Sequence, residues 1–226
     1  MSLIEAKKAL GEKAAQLIEN GMIVGLGSGS TAECFIQSLI HRVREERISI
    51  RAVASSSRSA SLAQKGGLAI FDINEIPRID LTIDGADEID PQKRMIKGAG
   101  GALLREKILA SASSEMVVIA DESKLVPCLG QGKLPIEVLN FGSSMTHKKL
   151  EAIGYKGFWR LTQAGDFFMT DNGNLIFDIH FDSPPLFPEK VHEDLIHIPG
   201  VIETGFFFNL AKRIFIGYAD GHIHCF

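Results

Sequence analysis

Between Asp84 and Lys107 the chain reads DGADEIDPQKRMIKGAGGALLREK, which sets carboxylates, a lysine and a glycine cluster side by side. A purely structural turn does not need that mixture. A site that moves a proton and holds developing negative charge does: a carboxylate as base, a cation nearby, and backbone N–H groups brought close by glycine. Asp84 leaves a strand-like run, Asp80 to Ile83, and open α/β sheets bind ligands at the carboxyl ends of their strands. Gly98, Gly100 and Gly101 lead into a helical pattern over residues 102–113, with Leu104, Ile108 and Ala112 as its apolar stripe. The glycines therefore fall at a helix N-terminus, with its free N–H donors and positive dipole end. Glu106 lies roughly 200° round that helix from Leu104 and points away from the stripe. Taken alone, Arg105, Glu106 and Lys107 read as a solvated face. The acidic and glycine segments directly upstream turn the balance toward a functional Glu106.

A second chemical segment lies earlier. Met22–Leu26 reads as a short buried strand, Gly27-Ser28-Gly29-Ser30-Thr31 as a loop, and Ala32 to about Arg44 as a helix. Strand, Gly/Ser/Thr loop and helix together form a phosphate-binding arrangement, because backbone and hydroxyl donors converge at the helix start. A Walker loop is excluded, since no lysine stands where Gly-Lys-Ser/Thr requires one. The dinucleotide fingerprint fits Gly25 and Gly27 but meets Ser30 at its third glycine. The ligand this predicts is a phosphate monoester or a similar small anion; the competing reading is a plain tight turn with a Ser/Thr cap. The hydroxyl-rich Ser55-Ser56-Ser57-Arg58-Ser59 follows a strand over residues 48–54 and either donates to the same ligand or simply caps the next helix. Lys124 leaves a fifth strand, residues 116–120, as a further cation candidate, with a surface lysine as the alternative. Lys7 and Lys8 ride on the first helix and read as surface residues.

The elements that must hold these groups follow from pattern. A capping box, Ser2 and Glu5, opens a helix that carries Leu3, Leu10, Ala14 and Leu17 inward and ends by Gly21. Strands at 22–26, 48–54, 68–71, 80–83 and 116–120 alternate with helical connections, which predicts a parallel sheet with right-handed crossovers. The pattern changes near Pro135. Residues 136–139 read as a strand and 146–153 as a helix. Residues 167–170 and 174–179 flank Asp171-Asn172-Gly173 as a hairpin, and 189–196 form a short helix. That is a small α+β unit. Phe206-Phe207-Phe208 and Arg213–Tyr218 are expected to return to the first sheet as added strands. His222 and His224 lack a clustered carboxylate and read as surface histidines.

The bulk numbers bound the classes. The 226 residues are 45% apolar and 23% charged, enough for one sizeable domain with or without a smaller insert. A net charge of −4 without a long basic run argues against nucleic acid. Cys34, Cys128 and Cys225 are scattered, with no zinc-type spacing, and the N-terminal residues lack the apolar core of a signal peptide. With no apolar run of membrane length, these features predict a soluble, cytoplasmic protein.

The segments GLGSGSTA (25–32), SSSRSA (55–60), DGADEID (84–90) and KGAGGALLREK (97–107), with ADESK (120–124) and TDNGN (170–174), resemble the type A ribose-5-phosphate isomerase family in order and spacing. The resemblance covers nearly the whole chain. It implies interconversion of D-ribose 5-phosphate and D-ribulose 5-phosphate in the non-oxidative pentose phosphate pathway, without metal or other cofactor, by a homodimer or homotetramer. It also implies a Rossmann-like α/β domain, residues 1–130 plus 206–226, with a smaller α+β (ferredoxin-like) domain inserted over 131–205. Carried over by position, substrate binding falls on Ser28, Gly29, Ser30 and Thr31, on Asp84, Gly85, Ala86 and Asp87, on Lys97, Gly98, Ala99 and Gly100, and on Lys124 and Lys7. The general base falls on Glu106. The developing oxyanion is assigned to Lys97 and the N–H groups near Gly98–Gly100, and sugar-hydroxyl contacts or ring opening to Asp84 and Asp87. Coenzyme A transferases and amino-sugar-phosphate deaminases share the architecture. The deaminases, however, use an Asp–His pair, and no histidine lies in segments 25–31, 84–90 or 97–107. A non-catalytic sugar-phosphate sensor has no need of Glu106.

Overall fold

The structure is a computed structural model that describes residues 3–226. The chain begins with α1 (Leu3–Ala15), β1 (Ile23–Leu26), α2 (Ser30–Glu46), β2 (Arg51–Ala54), α3 (Ser57–Lys65), β3 (Ile79–Asp84), β4 (Glu88–Ile89) and β5 (Met95–Ile96). It continues with α4 (Leu103–Ala112), β6 (Ser113–Asp121), β7 (Lys133–Val138), α5 (Ser143–Ala152), β8 (Lys156–Trp159) and β9 (Leu175–His180). It ends with α6 (Pro188–Ile196), β10 (Val201–Thr204), β11 (Phe206–Phe207), β12 (Ala211–Gly217) and β13 (Ile223–Cys225). These elements group into two compact units. One comprises the residues up to Ala86 with Arg105–Lys124 and Asn209–Phe226; the other comprises Asp87–Leu104 and Leu125–Phe208.

The first unit is built on a six-stranded sheet in the order β13-β12-β6-β3-β1-β2, parallel except for β13. Residues 68–71, expected as a full strand, contribute only an isolated parallel bridge, Ile70 to Ala52, beyond β2. Placing that bridge at the edge gives the strand order third, second, first, fourth, fifth, sixth of a doubly wound dinucleotide-type fold. Every residue of β1 is buried, as parallel strands covered on both faces require. Val24 and Leu26 enter a core with Leu10 of α1 and with Phe35, Ile36 and Leu39 of α2; each such side chain contributes about 1.5–3 kcal/mol. Ile23, Val53 and Ile79 meet Leu109 of α4 in a separate cluster. Helix α1 differs from expectation in the exposure of Leu3 and in where it stops. Ser2 of the capping box lies outside the described residues, Leu3 is exposed, and the helix stops at Ala15 rather than near Gly21. Arg42 of α2 ends it there by donating to the Ala15 and Ile18 carbonyls.

The second unit contains a four-stranded antiparallel sheet in the order β10-β7-β9-β8, with α5 and α6 as its helices. Counted within the unit this is a βαββαβ chain in the order 4-1-3-2, the ferredoxin-like arrangement. Asp171-Asn172-Gly173 forms the expected tight turn, with Gly173 at φ 76° and its N–H bonded to the Thr170 carbonyl. The arm before that turn is only bridged, however, at Leu161–Phe167 and Met169–Leu175. On that side β9 pairs instead with β8 (Lys156–Trp159), whose KGFW has a glycine and no apolar alternation to declare a strand.

A three-stranded sheet, β11-β5-β4, completes this unit and corrects a further expectation. Phe206 and Phe207 pair with Ile96 and Met95, not with the first sheet; only β12 returns there. Asp87–Leu104 accordingly groups with the second unit, whereas the expected insert ran only from 131 to 205.

Candidate active site

The loop after β1 is drawn closed by Asp84, the last residue of β3 and fully buried. Its Oδ1 accepts from the N–H of Ser28 at 3.0 Å and of Gly85 at 2.7 Å. A Cβ on Gly27 would stand 2.1 Å from that oxygen, so only glycine lets the strand exit pass the carboxylate. Gly29 then takes φ 99° at the N-cap of α2, and the first-turn N–H groups behind it have no intrahelical acceptor. Hydroxyls surround the loop. Ser28 Oγ lies 2.8 Å from Ser55 Oγ and 2.7 Å from Ser56 Oγ, and Ser59 Oγ donates to the Gly27 carbonyl at 2.7 Å. Ser56 also caps α3 through the Ser59 N–H, so the capping reading of the serine run holds. Lys7, read from pattern as a surface residue and assigned to the ligand only by resemblance, reaches the loop: its Nζ donates to Ser30 Oγ at 2.9 Å. Thr31 sits half-buried in the first turn of α2.

These groups lie where the strand order reverses between β1 and β3, the ligand-binding crevice of doubly wound sheets. Lys124 belongs to the same edge, half-buried in a short 3-10 turn (Glu122–Lys124) that leaves β6. Helix α4 runs back into β6, so a right-handed crossover puts its first turn at that edge as well. Glu106 is in this turn. The face that α4 buries is Leu103, Glu106, Leu109 and Ala110; Glu106 is 4% exposed and Ile108 45%. The expected stripe of Leu104, Ile108 and Ala112 is the outer side. Both sides of LLREKILA carry apolar residues, and the buried one includes the carboxylate. Glu106 is no part of a solvated face. Near the same loop, burial pushes the Cys34 thiol above its ordinary value despite the opposing pull of Lys7 and Lys8, so it is held as thiol at neutral pH.

In the second unit the hairpin of β4 and β5 brings Asp87 beside Lys97. The Asp87 N–H donates to the Ile96 carbonyl at 2.8 Å, and the Lys97 N–H donates to Gly205 O at 2.9 Å. Its turn is held by Asp90 Oδ1, which accepts from the N–H groups of Gln92 and Arg94, with Lys93 at φ 61°. The Asp-Pro dipeptide between Ile89 and the apolar pair Met95-Ile96 is the signal that could have disclosed it. Lys97 is 2% exposed, with Nζ 5.5 Å from the Phe207 ring centroid. The glycine segment makes a turn in which the Gly101 N–H reaches Gly98 O at 2.9 Å; Gly98 and Gly101 take φ 108° and 78°, whereas Ala99 and Gly100 do not need the left-handed region. The Ala99 N–H donates to Asp87 Oδ2 at 2.8 Å. Gly85 and Ala86 link Asp84 to Asp87 as a half-buried connection.

Residues that pattern alone missed hold this turn. Arg160, just past β8, donates through Nη1 to the carbonyls of Gly98 at 2.8 Å and Ala99 at 2.9 Å. Its Nε and Nη2 bond the two carboxylate oxygens of Asp178 on β9. A lone arginine sixty residues downstream carries no local signal. Among the described residues no group of three or more His, Cys, Asp or Glu is placed to hold a metal ion, and His222 and His224 stay on the edge strand and its turn.

Comparison with known proteins places the chain in a family. The family model for ribose 5-phosphate isomerase A (phosphoriboisomerase A) matches residues 51–221. The chain is similar to ribose-5-phosphate isomerase A of Protochlamydia amoebophila, 50% identical over 218 residues, covering 96% of this chain and 94% of that one. It is 47% identical to the Chlamydia pneumoniae protein over 203 residues, 90% and 88% of the two chains. Ribose 5-phosphate isomerase A of Methanocaldococcus jannaschii superposes with a TM-score of 0.92 at 32% identity, covering 100% and 99%. A D-ribose-5-phosphate isomerase in complex with phospho-erythronic acid gives 0.94 at 35%, again covering 100% and 99%. Fold, site and relatives together define an aldose–ketose isomerase of sugar phosphates. The chain belongs to the ribose 5-phosphate isomerase A family, and its reaction is the interconversion of ribose 5-phosphate and ribulose 5-phosphate in the pentose phosphate pathway.

Proposed function

We propose that Glu106 is the general base of this isomerisation. One observation carries the assignment: a carboxylate occupies the buried face of α4, in the turn next to the carboxyl edge of the doubly wound sheet. Aldose–ketose conversion moves a proton between adjacent carbons through an enediol(ate), and one carboxylate on one face of the sugar can take it from one carbon and return it to the other. Lys97 and the N–H groups of the Gly98–Gly100 turn receive the oxygen that becomes negative. A group of that kind is typically worth about 3–4 kcal/mol. Ser28, Gly29, Ser30, Thr31, Lys7 and Lys124 hold the phosphate, fixing the far end of the sugar so that its reacting carbons are oriented.

The two aspartates divide the remaining work. Asp84 Oδ1 is occupied by the Ser28 and Gly85 N–H groups, which favours a part in shaping the phosphate loop. Asp87 is half-buried and is the better candidate to exchange a proton with the ring oxygen as the furanose opens. The phospho-erythronic acid bound by a relative supports the reaction rather than this division: it joins a phosphate to a carboxylate whose two oxygens resemble those of the enediolate. A homodimer or homotetramer in the cytoplasm completes the reading. Three cysteines outside any disulfide fit a reducing compartment, and Phe141, Phe158, Leu186 and Phe187 stand exposed on the second unit.

The test is formation of ribulose 5-phosphate from ribose 5-phosphate in EDTA. Wild type is expected to remain active, and Glu106→Gln to lose about 10²-fold or more in kcat with little change in KM. A Glu106→Gln enzyme that keeps wild-type kcat moves the base elsewhere.

A further inference from the structure

We propose that Arg160 is a positioning residue for the reaction, one that aims the N–H groups of the glycine turn by gripping the opposite ends of the same peptides. The inference rests on the assignment of those N–H groups to the developing oxyanion. In a trans peptide the C=O of one residue and the N–H of the next point to opposite sides of the plane, and no cis bond occurs among the described residues. Arg160 Nη1 draws the carbonyls of Gly98 and Ala99 to one side, at 2.8 and 2.9 Å. The N–H groups of Ala99 and Gly100 are thereby turned to the other. The first of them is seen to arrive: it donates to Asp87 Oδ2 at 2.8 Å. The second is presented in the same direction and is the donor available to a substrate oxygen.

Arg160 is built to do this. Its side chain is 10% exposed, and that of Asp178 is 8%. Nε and Nη2 are committed to Asp178, which leaves Nη1 directed at the turn. Lys133 Nζ shares Asp178 Oδ2 at 2.7 Å, so two cations face one carboxylate and positive charge remains toward the carbonyls. Phe168 lies 5.8 Å from the guanidinium and also fills the space where a Cβ on Gly101 would stand. The backbone is tied on both sides, Arg160 N–H to Ile176 O and Phe168 N–H to Arg160 O, each at 2.8 Å. A cation on a carbonyl oxygen also polarises the peptide and strengthens its N–H as a donor. Only a guanidinium spans two carbonyls and a carboxylate at once; a lysine ammonium is a point donor.

The experiment measures kcat, KM and the inhibition constants of phospho-erythronic acid and of inorganic phosphate for wild type, Arg160→Met, Arg160→Lys and Lys97→Met. Loss of Arg160 is expected to lower kcat and to weaken phospho-erythronic acid by about ten- to a hundredfold each, while inorganic phosphate, whose binding residues lie in the other unit, keeps its inhibition constant within about twofold. Arg160→Lys keeps the charge and the fold, and is expected to recover only part of the loss. It carries the test if Arg160→Met does not fold. Equal weakening of both inhibitors, or unchanged kcat and phospho-erythronic acid inhibition, overturns the inference. Lys97→Met separates the two layers. If it weakens phospho-erythronic acid and the Arg160 variants do not, the brace alone fails; if it leaves that inhibitor untouched, the oxyanion assignment fails and the brace with it.

Discussion

Lys7 illustrates what a side chain shows only once folded. Pattern alone read it as a surface residue of the first helix, and only the resemblance assigned it to the ligand, yet Nζ bonds Ser30 Oγ in the loop after β1. A charge-assisted hydrogen bond of this kind contributes about 1.5–3 kcal/mol. Since the phosphate that Lys7 is proposed to hold is the same in ground and transition states, Lys7→Met is expected to raise KM for ribose 5-phosphate by about ten- to a hundredfold with little change in kcat, read from initial rates. Gly27 carries an opposite kind of restriction. Alanine there would set a methyl carbon 2.1 Å from Asp84 Oδ1, so Gly27→Ala is expected to displace the carboxylate, open the loop and reduce kcat/KM by about 10²-fold or more, at a cost in thermal midpoint. The motifs made Ser28–Thr31, Asp84, Asp87, Lys97 and Glu106 visible because each is a chemically loaded residue inside a short glycine-bearing segment. Arg160 and Asp178 were not visible, because what they do is defined by a partner some sixty residues away in one case and eighteen in the other.

At the scale of elements, the long strands and helices follow from the sequence with ends moved by a few residues, while the short pieces do not. The two-residue strands β4, β5 and β11 have no periodicity to read, and they decide which unit holds Asp87 and Lys97. Helix α4 shows a different failure. Two apolar stripes compete in LLREKILA, and the buried one contains Glu106, so hydrophobic phase alone chose the outer side. Strands β8 and β9 give a further expectation. Burial pushes the Asp178 carboxyl up, but hydrogen bonds and charge from Arg160 and Lys133 outweigh it and hold the group below its ordinary value. A carboxylate depressed in the folded state contributes stability that is present above the unfolded value and lost as pH falls through the folded one. Asp178→Asn is therefore expected to cost about 3 kcal/mol at neutral pH, and the gap to wild type to narrow progressively below about pH 4. Urea midpoints across pH 2.5 to 7 check both the size and the sign.

For the whole molecule, the two units differ in what they leave uncovered. The first exposes Leu3, Ile4, Phe71, Ile108 and Phe226 in part, whereas the second carries the most exposed apolar side chains, Phe141, Phe158, Leu186 and Phe187. If the proposed homo-oligomer uses that surface, sedimentation velocity gives a dimer or larger species at micromolar concentration, and Phe158→Asp shifts it toward monomer. The parallel character of the larger sheet was foreseeable from alternating strands and helices, and its Rossmann-like fold from the family resemblance. The division of the catalytic segment between units was not, because it depends on β11 choosing β5 rather than the parallel sheet.

The last strand, β13, had no role to assign from its residues, YADGHIHCF. In the fold it turns at Gly221 and lies antiparallel on β12, pairing Phe215 with Cys225 and Gly217 with Ile223. Without it, the backbone donors and acceptors of AKRIFIG would form an open template at the end of a sheet, ready to recruit another chain. The strand is thus a guard against self-association. A protein shortened before Asp220 is expected to keep its isomerase activity per folded molecule yet to aggregate on concentration or mild heating, as light scattering would reveal.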